Sequence, residues 1–203
     1  FTGSAGTAVI TLDEAGLWTD GRYFVQAENQ LKDSTVTLYR MGEEGVPTVD
    51  EFVKDRLKEG GCLGFDGRVV NGTWGGKLEK IAAEKNVSMH VTEDLIDLIW
   101  EDRPALSKQP LFILEEKYSG KSTADKIADL RKAMKENGAD IHILTSLYDI
   151  AWLLNIRGND IDYVPVVLSY LVLNETECIW FLQEEVVDDK IRAYLEENHI
   201  TTK

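Results

Sequence analysis

The chain is 203 residues long, 43% hydrophobic and 29% charged, enough to bury the core of one large or two small domains. Its 22 Lys and Arg against 36 Asp and Glu give a net charge of −14, with no basic stripe to neutralise phosphates, which argues against nucleic acid and anionic membranes as partners. No apolar stretch approaches a membrane span, the start does not read as a signal peptide, and both cysteines, Cys62 and Cys178, lie in apolar runs, as expected of buried reduced thiols in a cytoplasmic protein.

In chain order, Thr7–Thr11 is an apolar β-branched run, Asp13 to Gly16 a turn, and Leu17-Trp18 a return to strand pattern. Tyr23, Phe24, Ala27 and Leu31 recur at helical spacing, so Asp20 reads as the N-cap of that helix and Arg22 as a residue of its first turn. A cation there opposes the helix dipole. The location, the C-terminal end of a strand in an α/β unit, is where ligands usually bind. Arg22 is therefore the candidate contact to an anionic group; a plain ion pair with Asp20 is the competing reading.

Thr48 and Glu51 form a capping box opening a helix through Phe52, Val53 and Leu57 that ends near Gly60. A short strand is expected at 62–65, a helix through Leu78, Ile81 and Ala82 stopping near Asn86, a strand at 87–91, and a short helix at 93–100. Glu101-Asp102-Arg103-Pro104, followed by Pro110, is the best linker, and domains of 1–109 and 110–203 are expected. Beyond it, Ser122 and Asp125 open a helix through Ile127, Leu130 and Met134 that ends at Asn137-Gly138. A buried strand at 141–144, a helix at 148–154, a hairpin over 166–182 turning at Asn174-Glu175, and a polar helix at 187–195 complete the pattern.

Val9–Trp18 aligns without gaps on Leu171–Trp180, each a strand, an acidic turn and a strand ending in Trp before a polar helix. This reads as a weak internal repeat. The second copy is preceded by a helix, strand and helix that the first lacks, and the first is followed by about eighty residues that the second lacks. Each domain is therefore expected to be incomplete at its outer end. His90, His142 and His199 stand far apart, with His142 read as a core residue, and no metal-binding, phosphate-binding or nucleophile motif occurs. Asp188, Asp189, Glu196 and Glu197 read as a solvated helix face, and the five tryptophans as core residues.

Two stretches carry a resemblance. Phe1-Thr-Gly-Ser-Ala-Gly-Thr-Ala with Leu17-Trp-Thr-Asp-Gly-Arg-Tyr-Phe resembles the N-terminal region of Xaa-Pro aminopeptidases, and Tyr148–Ile161 with Pro165-Val and Ser169-Tyr resembles the second non-catalytic domain of their three-domain form. Ile99-Trp-Glu-Asp-Arg-Pro resembles the junction between the two. The resemblance implies two tandem related α/β domains with mixed sheets flanked by helices, of the creatinase N-terminal, ribonuclease H-like type. It also implies a separate C-terminal catalytic domain binding two metal ions, usually manganese, that removes the residue preceding proline by attack of a metal-activated hydroxide. None of that domain's ligands has a matching position here, so no cofactor is expected in this chain. The implied partners are a peptide with proline at its second position and a second subunit of a homodimer. The implied role of Arg22 is contact with peptide substrate at the active-site mouth; Asp20 and Tyr23 share its motif. A stand-alone interaction module of the same domain type, without peptidase activity, is the alternative.

Overall fold

A computed structural model describes all residues, 1–203. The chain forms two compact units, Phe1–Arg103 and Pro104–Lys203, each with its own core.

In the first unit, β1 (Thr7–Ile10) and β2 (Ala15–Thr19) form an antiparallel hairpin. Helix α1 (Phe24–Gln30) then leads to β3 (Val36–Arg40), which pairs parallel with β2. The sheet order β1-β2-β3 leaves the outer edge of β1 unpaired. Next come α2 (Val49–Arg56), β4 (Cys62–Gly64), α3 (Gly72–Lys85) and β5 (Ser88–His90), with β4 and β5 a parallel pair. The capping box forms as expected: the Thr48 hydroxyl accepts from the Glu51 N–H while the Glu51 carboxylate accepts from the Thr48 N–H. Helix α3 ends on Asn86 in the left-handed conformation that asparagine tolerates better than most residues.

Period-two alternation gives this sheet two different faces. Trp18 and Tyr39 are cross-strand partners, stacked with centroids 4.1 Å apart, and Phe52 of α2 meets both edge-on. The opposite face, with Leu17 and Leu38, lies toward α1. Gly16 sits beneath the stack, where a Cβ would lie 2.6 Å from Trp18 Cζ3 and 2.7 Å from Tyr39 Cε2. Gly16→Ala should therefore cost about 1–3 kcal/mol, the range for overpacking a filled core. A urea midpoint equal to wild type would show that the rings yield freely.

The second unit begins with β6 (Phe112–Ile113), α4 (Glu116–Ser119), α5 (Thr123–Glu136), β7 (Ile141–Leu144), α6 (Leu147–Leu154) and β8 (Ile156–Arg157). The hairpin β9 (Tyr170–Asn174) and β10 (Cys178–Phe181), helix α7 (Asp189–Glu197) and β11 (Thr201–Thr202) complete it. Its main sheet has the order β11-β10-β9-β7, and β6 pairs with β8. Side chains of α5, α6 and α7, including Ile127, Ile150 and Ile191, bury one face of the main sheet through Leu171, Leu173 and Trp180. Each such aliphatic side chain contributes roughly 1.5–3 kcal/mol. Lys126, 2% exposed, donates to the carbonyl of Trp152 at 2.7 Å and to Asn155 Oδ1 at 2.6 Å, and Arg157 donates to the Ala151 carbonyl. Two cations thus satisfy the free carbonyls at the end of α6.

The repeat is present as topology. Each unit runs hairpin, helix, then a strand parallel to the second hairpin strand: β1-β2-α1-β3 and β9-β10-α7-β11. The turns share their hydrogen bonds. Thr11 Oγ1 accepts from the N–H groups of Asp13 and Glu14, and Asn174 Oδ1 from those of Thr176 and Glu177. The first loop N–H reaches the fourth carbonyl in both, Thr11 to Glu14 and Asn174 to Glu177. These turns make Thr11 equivalent to Asn174, one residue away from the gapless alignment. Trp18 therefore matches Phe181, and Leu17 matches Trp180. The two tryptophans are not equivalent, because one residue of slip exchanges the faces of a strand.

Several other expectations are corrected. Residues 93–100 make turns, not a helix: Asp94 Oδ1 accepts from Ile96 and Asp97, but the chain continues for only one turn. Strand β7 is an edge, with Ile141 and Ile143 about 60% exposed, not a buried strand. Cys62 is exposed; only Cys178 is buried, and burial raises its thiol to about 11. Trp100 and Trp152 are exposed, so not every tryptophan is a core residue. Strand β3, a short β6–β8 pair and β11 were not anticipated from the sequence.

Candidate functional site

Thr19 ends β2 and Phe24 starts α1, so Asp20-Gly21-Arg22-Tyr23 is a tight connection at the C-terminal end of a strand. Asp20 is not the N-cap. Tyr23 holds that position without a side-chain cap, and Arg22 precedes the helix instead of lying in its first turn. The Asp20 carboxylate is committed to Arg22. Oδ1 accepts from the Arg22 backbone N–H at 3.1 Å and from Nε at 2.8 Å, and Oδ2 accepts from Nη2 at 2.8 Å. The ion pair with Asp20, the competing reading of Arg22, is therefore formed. The guanidinium lies in a two-pronged grip, with its carbon 5.3 Å from the Tyr23 ring centroid.

That grip leaves donors over. A guanidinium carries five N–H bonds in a fixed fork, and Asp20 engages the Nε and Nη2 side. Nη1 makes no hydrogen bond within the chain, and the Arg22 side chain is 68% exposed. Tyr23 is held in turn: its hydroxyl shares a 2.5 Å hydrogen bond with Ser4, and Phe1 packs edge-on against its ring. An exposed arginine is thus oriented on both sides, with its outer edge turned to solvent. Such an edge suits a carboxylate or a peptide carbonyl.

The hydrogen bonds from Arg22, side chain first and backbone second, hold the Asp20 carboxyl at about 2. A depressed carboxyl contributes stability above its ordinary value, near 3.9, and loses it as pH falls through the lowered one. The side-chain carbon resonance of Asp20 should accordingly titrate near pH 2. A midpoint near 4 would mean that the grip does not persist in solution.

Asp66-Gly67-Arg68, after β4, repeats the tripeptide and its geometry: Asp66 Oδ1 accepts from the Arg68 N–H at 2.9 Å and Oδ2 from Nη2 at 2.8 Å. Sequence reasoning missed this second clamp, although the repeated Asp-Gly-Arg is visible by inspection. Its setting differs. Arg68 also faces Asp94 at 3.7 Å, and Asp94 binds Arg103, which reaches Asp97. Arg68 belongs to a network fastening the 94–103 segment, whereas Arg22 has Asp20 alone as its ion-pair partner.

The other singled-out residues do not assemble. His90 pairs with Glu93, His142 is half-buried on β7, and His199 is exposed after α7. Asp188 caps α7, and Asp189, Glu196 and Glu197 are exposed on it. No three His, Cys, Asp or Glu side chains converge as metal ligands. The residues present do not fit a metal centre, and no metal chemistry is assigned to them.

Comparison with known proteins agrees along the whole chain. The family described as creatinase/prolidase N-terminal domain matches residues 1–99 and again 102–203. A probable Xaa-Pro aminopeptidase P of Neurospora crassa is 41% identical over 98% of this chain and 29% of its own length. An aminopeptidase P1 of Lotus japonicus is 40% identical over 98% of this chain and 30% of its own. Among solved structures, an X-prolyl aminopeptidase from Caenorhabditis elegans, described as a cytosolic enzyme with a di-nuclear active site, superposes with a TM-score of 0.93. It is 35% identical and covers 100% of this chain, which in turn covers 33% of it. The chain thus spans about a third of the length of the relatives it matches. The fold is theirs: two tandem α/β domains matching the N-terminal region of an X-prolyl aminopeptidase.

Proposed function

We propose, for a chain that belongs to the creatinase/prolidase N-terminal domain family along both units, that it is the non-catalytic N-terminal region of a metal-dependent Xaa-Pro aminopeptidase. Its task is to shape substrate access and hold the distal end of the peptide. Removal of the residue before proline, with two divalent ions such as manganese, belongs to the part of the longer protein outside these 203 residues. The observation that carries this reading is the open edge of Arg22, pre-oriented by Asp20 and Tyr23. On a chain of net charge −14, an oriented and exposed arginine stands out as a place for a peptide carbonyl or carboxylate. Asp20 is a positioning residue: it fixes the fork without touching substrate.

Two further parts complete the reading. A homodimer is the expected assembly of the longer protein, and its mass in solution tests this. The exposed free thiol of Cys62 suits a reducing, cytoplasmic setting. The deciding experiment is hydrolysis of an Xaa-Pro tripeptide by the longer protein, with metal added back after chelation. Activity that follows the metal in the longer protein and is absent from the 203-residue chain is the expected result. A longer protein that binds no metal and cleaves nothing would leave only an interaction module.

A further inference from the structure

The parallel strands β2 and β3 bring their carboxyl ends to one end of the first unit's sheet, where open α/β sheets usually hold ligands. A cleft of about 310 Å³ opens there, within the size range of small-molecule sites. It lies on the side of the sheet that faces α2. Trp18 of β2, Met41 directly after β3, Pro47 in the loop leading to α2, and Trp74 in the first turn of α3 supply its apolar walls. Both indole N–H groups are engaged at the cleft: Trp18 donates to the Pro47 carbonyl and Trp74 to Asp50 Oδ1, each at 2.8 Å.

The polar lining is one-sided. Asp50, the second residue of α2, uses Oδ1 for the Trp74 indole, while its Oδ2 makes no hydrogen bond and no ion pair within the chain. The indole thus holds the carboxylate in place and leaves one oxygen to a ligand. The only other side-chain oxygens on the walls are the hydroxyls of Thr7 and Thr48, and the Thr48 hydroxyl is spent on the Glu51 capping box. No lysine or arginine lines the cleft. Glu43 and Glu44, in the same loop as Pro47, are exposed and unpaired, so the mouth is acidic as well. The space is apolar, aromatic on two sides, and acidic where it is polar, a combination that favours a cation.

We infer that this cleft is a binding site for a cation on an apolar stem, an amine or a guanidine, with the charge on Asp50 Oδ2 and the stem against Trp74 and Met41. A free amine and the basic side chain of a polypeptide share this chemistry. Anions are excluded by the free carboxylate and the acidic mouth, and a neutral apolar molecule would bury Asp50 Oδ2 without a donor. The inference goes beyond the proposed function and does not depend on it, since neither Arg22 nor hydrolysis of a peptide enters the argument.

The test titrates the 203-residue chain with hexylamine, hexanol and hexanoate and follows the indole N–H resonances. The expected result is a saturable shift of Trp18 and Trp74 with hexylamine, no shift of Trp180, and binding of hexanol and hexanoate at least tenfold weaker, the loss of one charge-assisted contact. Asp50→Asn keeps an acceptor for the Trp74 indole and should weaken hexylamine at least tenfold. Equal binding of hexanol and hexylamine overturns the inference without recourse to any variant. So do a shift that never saturates, shifts spread over all five indoles, and an Asp50→Asn chain that binds hexylamine as wild type does. Nα-acetyl-lysine methylamide separates the two sources: affinity equal to that of hexylamine assigns the site to a polypeptide side chain, and affinity at least tenfold lower assigns it to a free amine. Calorimetry on the longer protein should return the same hexylamine affinity; loss of binding there overturns the inference, because the cleft would be filled by the polypeptide itself. A longer protein that binds hexylamine but cleaves no Xaa-Pro peptide would sink the functional reading and leave this one standing.

Discussion

Under the proposed function, Arg22→Ala in the longer protein should lower kcat/KM on Xaa-Pro tripeptides by about ten- to a hundredfold, the effect of losing one charge-assisted hydrogen bond, and should leave the fold intact. The fold survives because the side chain is 68% exposed and its one ion-pair partner, Asp20, can be solvated where it stands. Arg22→Lys should rescue little: an ammonium cannot hold Asp20 with two parallel donors and still present an oriented edge outward. Arg68→Ala is the internal control, since it removes the same clamp from a setting where the arginine is absorbed by Asp66 and Asp94. If Arg22→Ala and Arg68→Ala lower kcat/KM equally, or if neither does, Arg22 is a structural ion pair and the proposed peptide contact lies elsewhere. How the loss divides between kcat and KM will show whether Arg22 holds the peptide throughout or only as the bond breaks.

Trp18→Ala should cost about 3–5 kcal/mol, the range for removing a buried aromatic side chain from a packed core. Trp18 is fully buried, stacked on Tyr39 with the rings within 2° of parallel, and met edge-on by Phe52. Its indole N–H donates to the Pro47 carbonyl at 2.8 Å, so truncation also deprives that carbonyl of its donor. Trp18→Phe keeps a ring in the stack and should cost clearly less. Because each unit has its own core, the loss should appear as an earlier urea transition of the first unit, with the Trp180 core melting where it did before. A single, uniformly shifted transition would mean that the units unfold as one.

What could be read from the sequence was what depends on neighbours a few residues apart. The Thr48–Glu51 capping box, the Ser122 cap and the left-handed Asn86 stop are local hydrogen-bond chemistry, and each forms as read. Strand β3 escaped notice although Val36, Leu38 and Arg40 alternate with Thr37 and Tyr39, because a five-residue run between polar turns carries little signal. Residues 93–100 have the composition of a helix, yet Asp94 is drawn to Arg103, and the segment is tied down after one turn. Ile141 and Ile143 look buried in sequence because apolar content alone does not distinguish a central strand from an edge. The same limit applied at the candidate site. Position and residue type singled out Arg22, but a good N-cap residue at Asp20 has two uses, and only the geometry shows the carboxylate turned to the guanidinium instead of the helix amides.

The slip of one residue between the two tryptophans has a historical side. If both units descend from one ancestral hairpin, their turns have kept the ancestral spacing while the largest side chain moved from one position to the next. Such a move turns the anchor from one layer to the other, so the duplicates did not merely drift; they changed which layer they lean on. Trp18 serves the layer of α2, and Trp180 serves that of α7. An alignment of the copies that honours tryptophan identity inverts inside and outside along the strand. Ancestral reconstructions of this duplication should therefore be registered on Thr11 and Asn174, the two residues whose side chains close the turns.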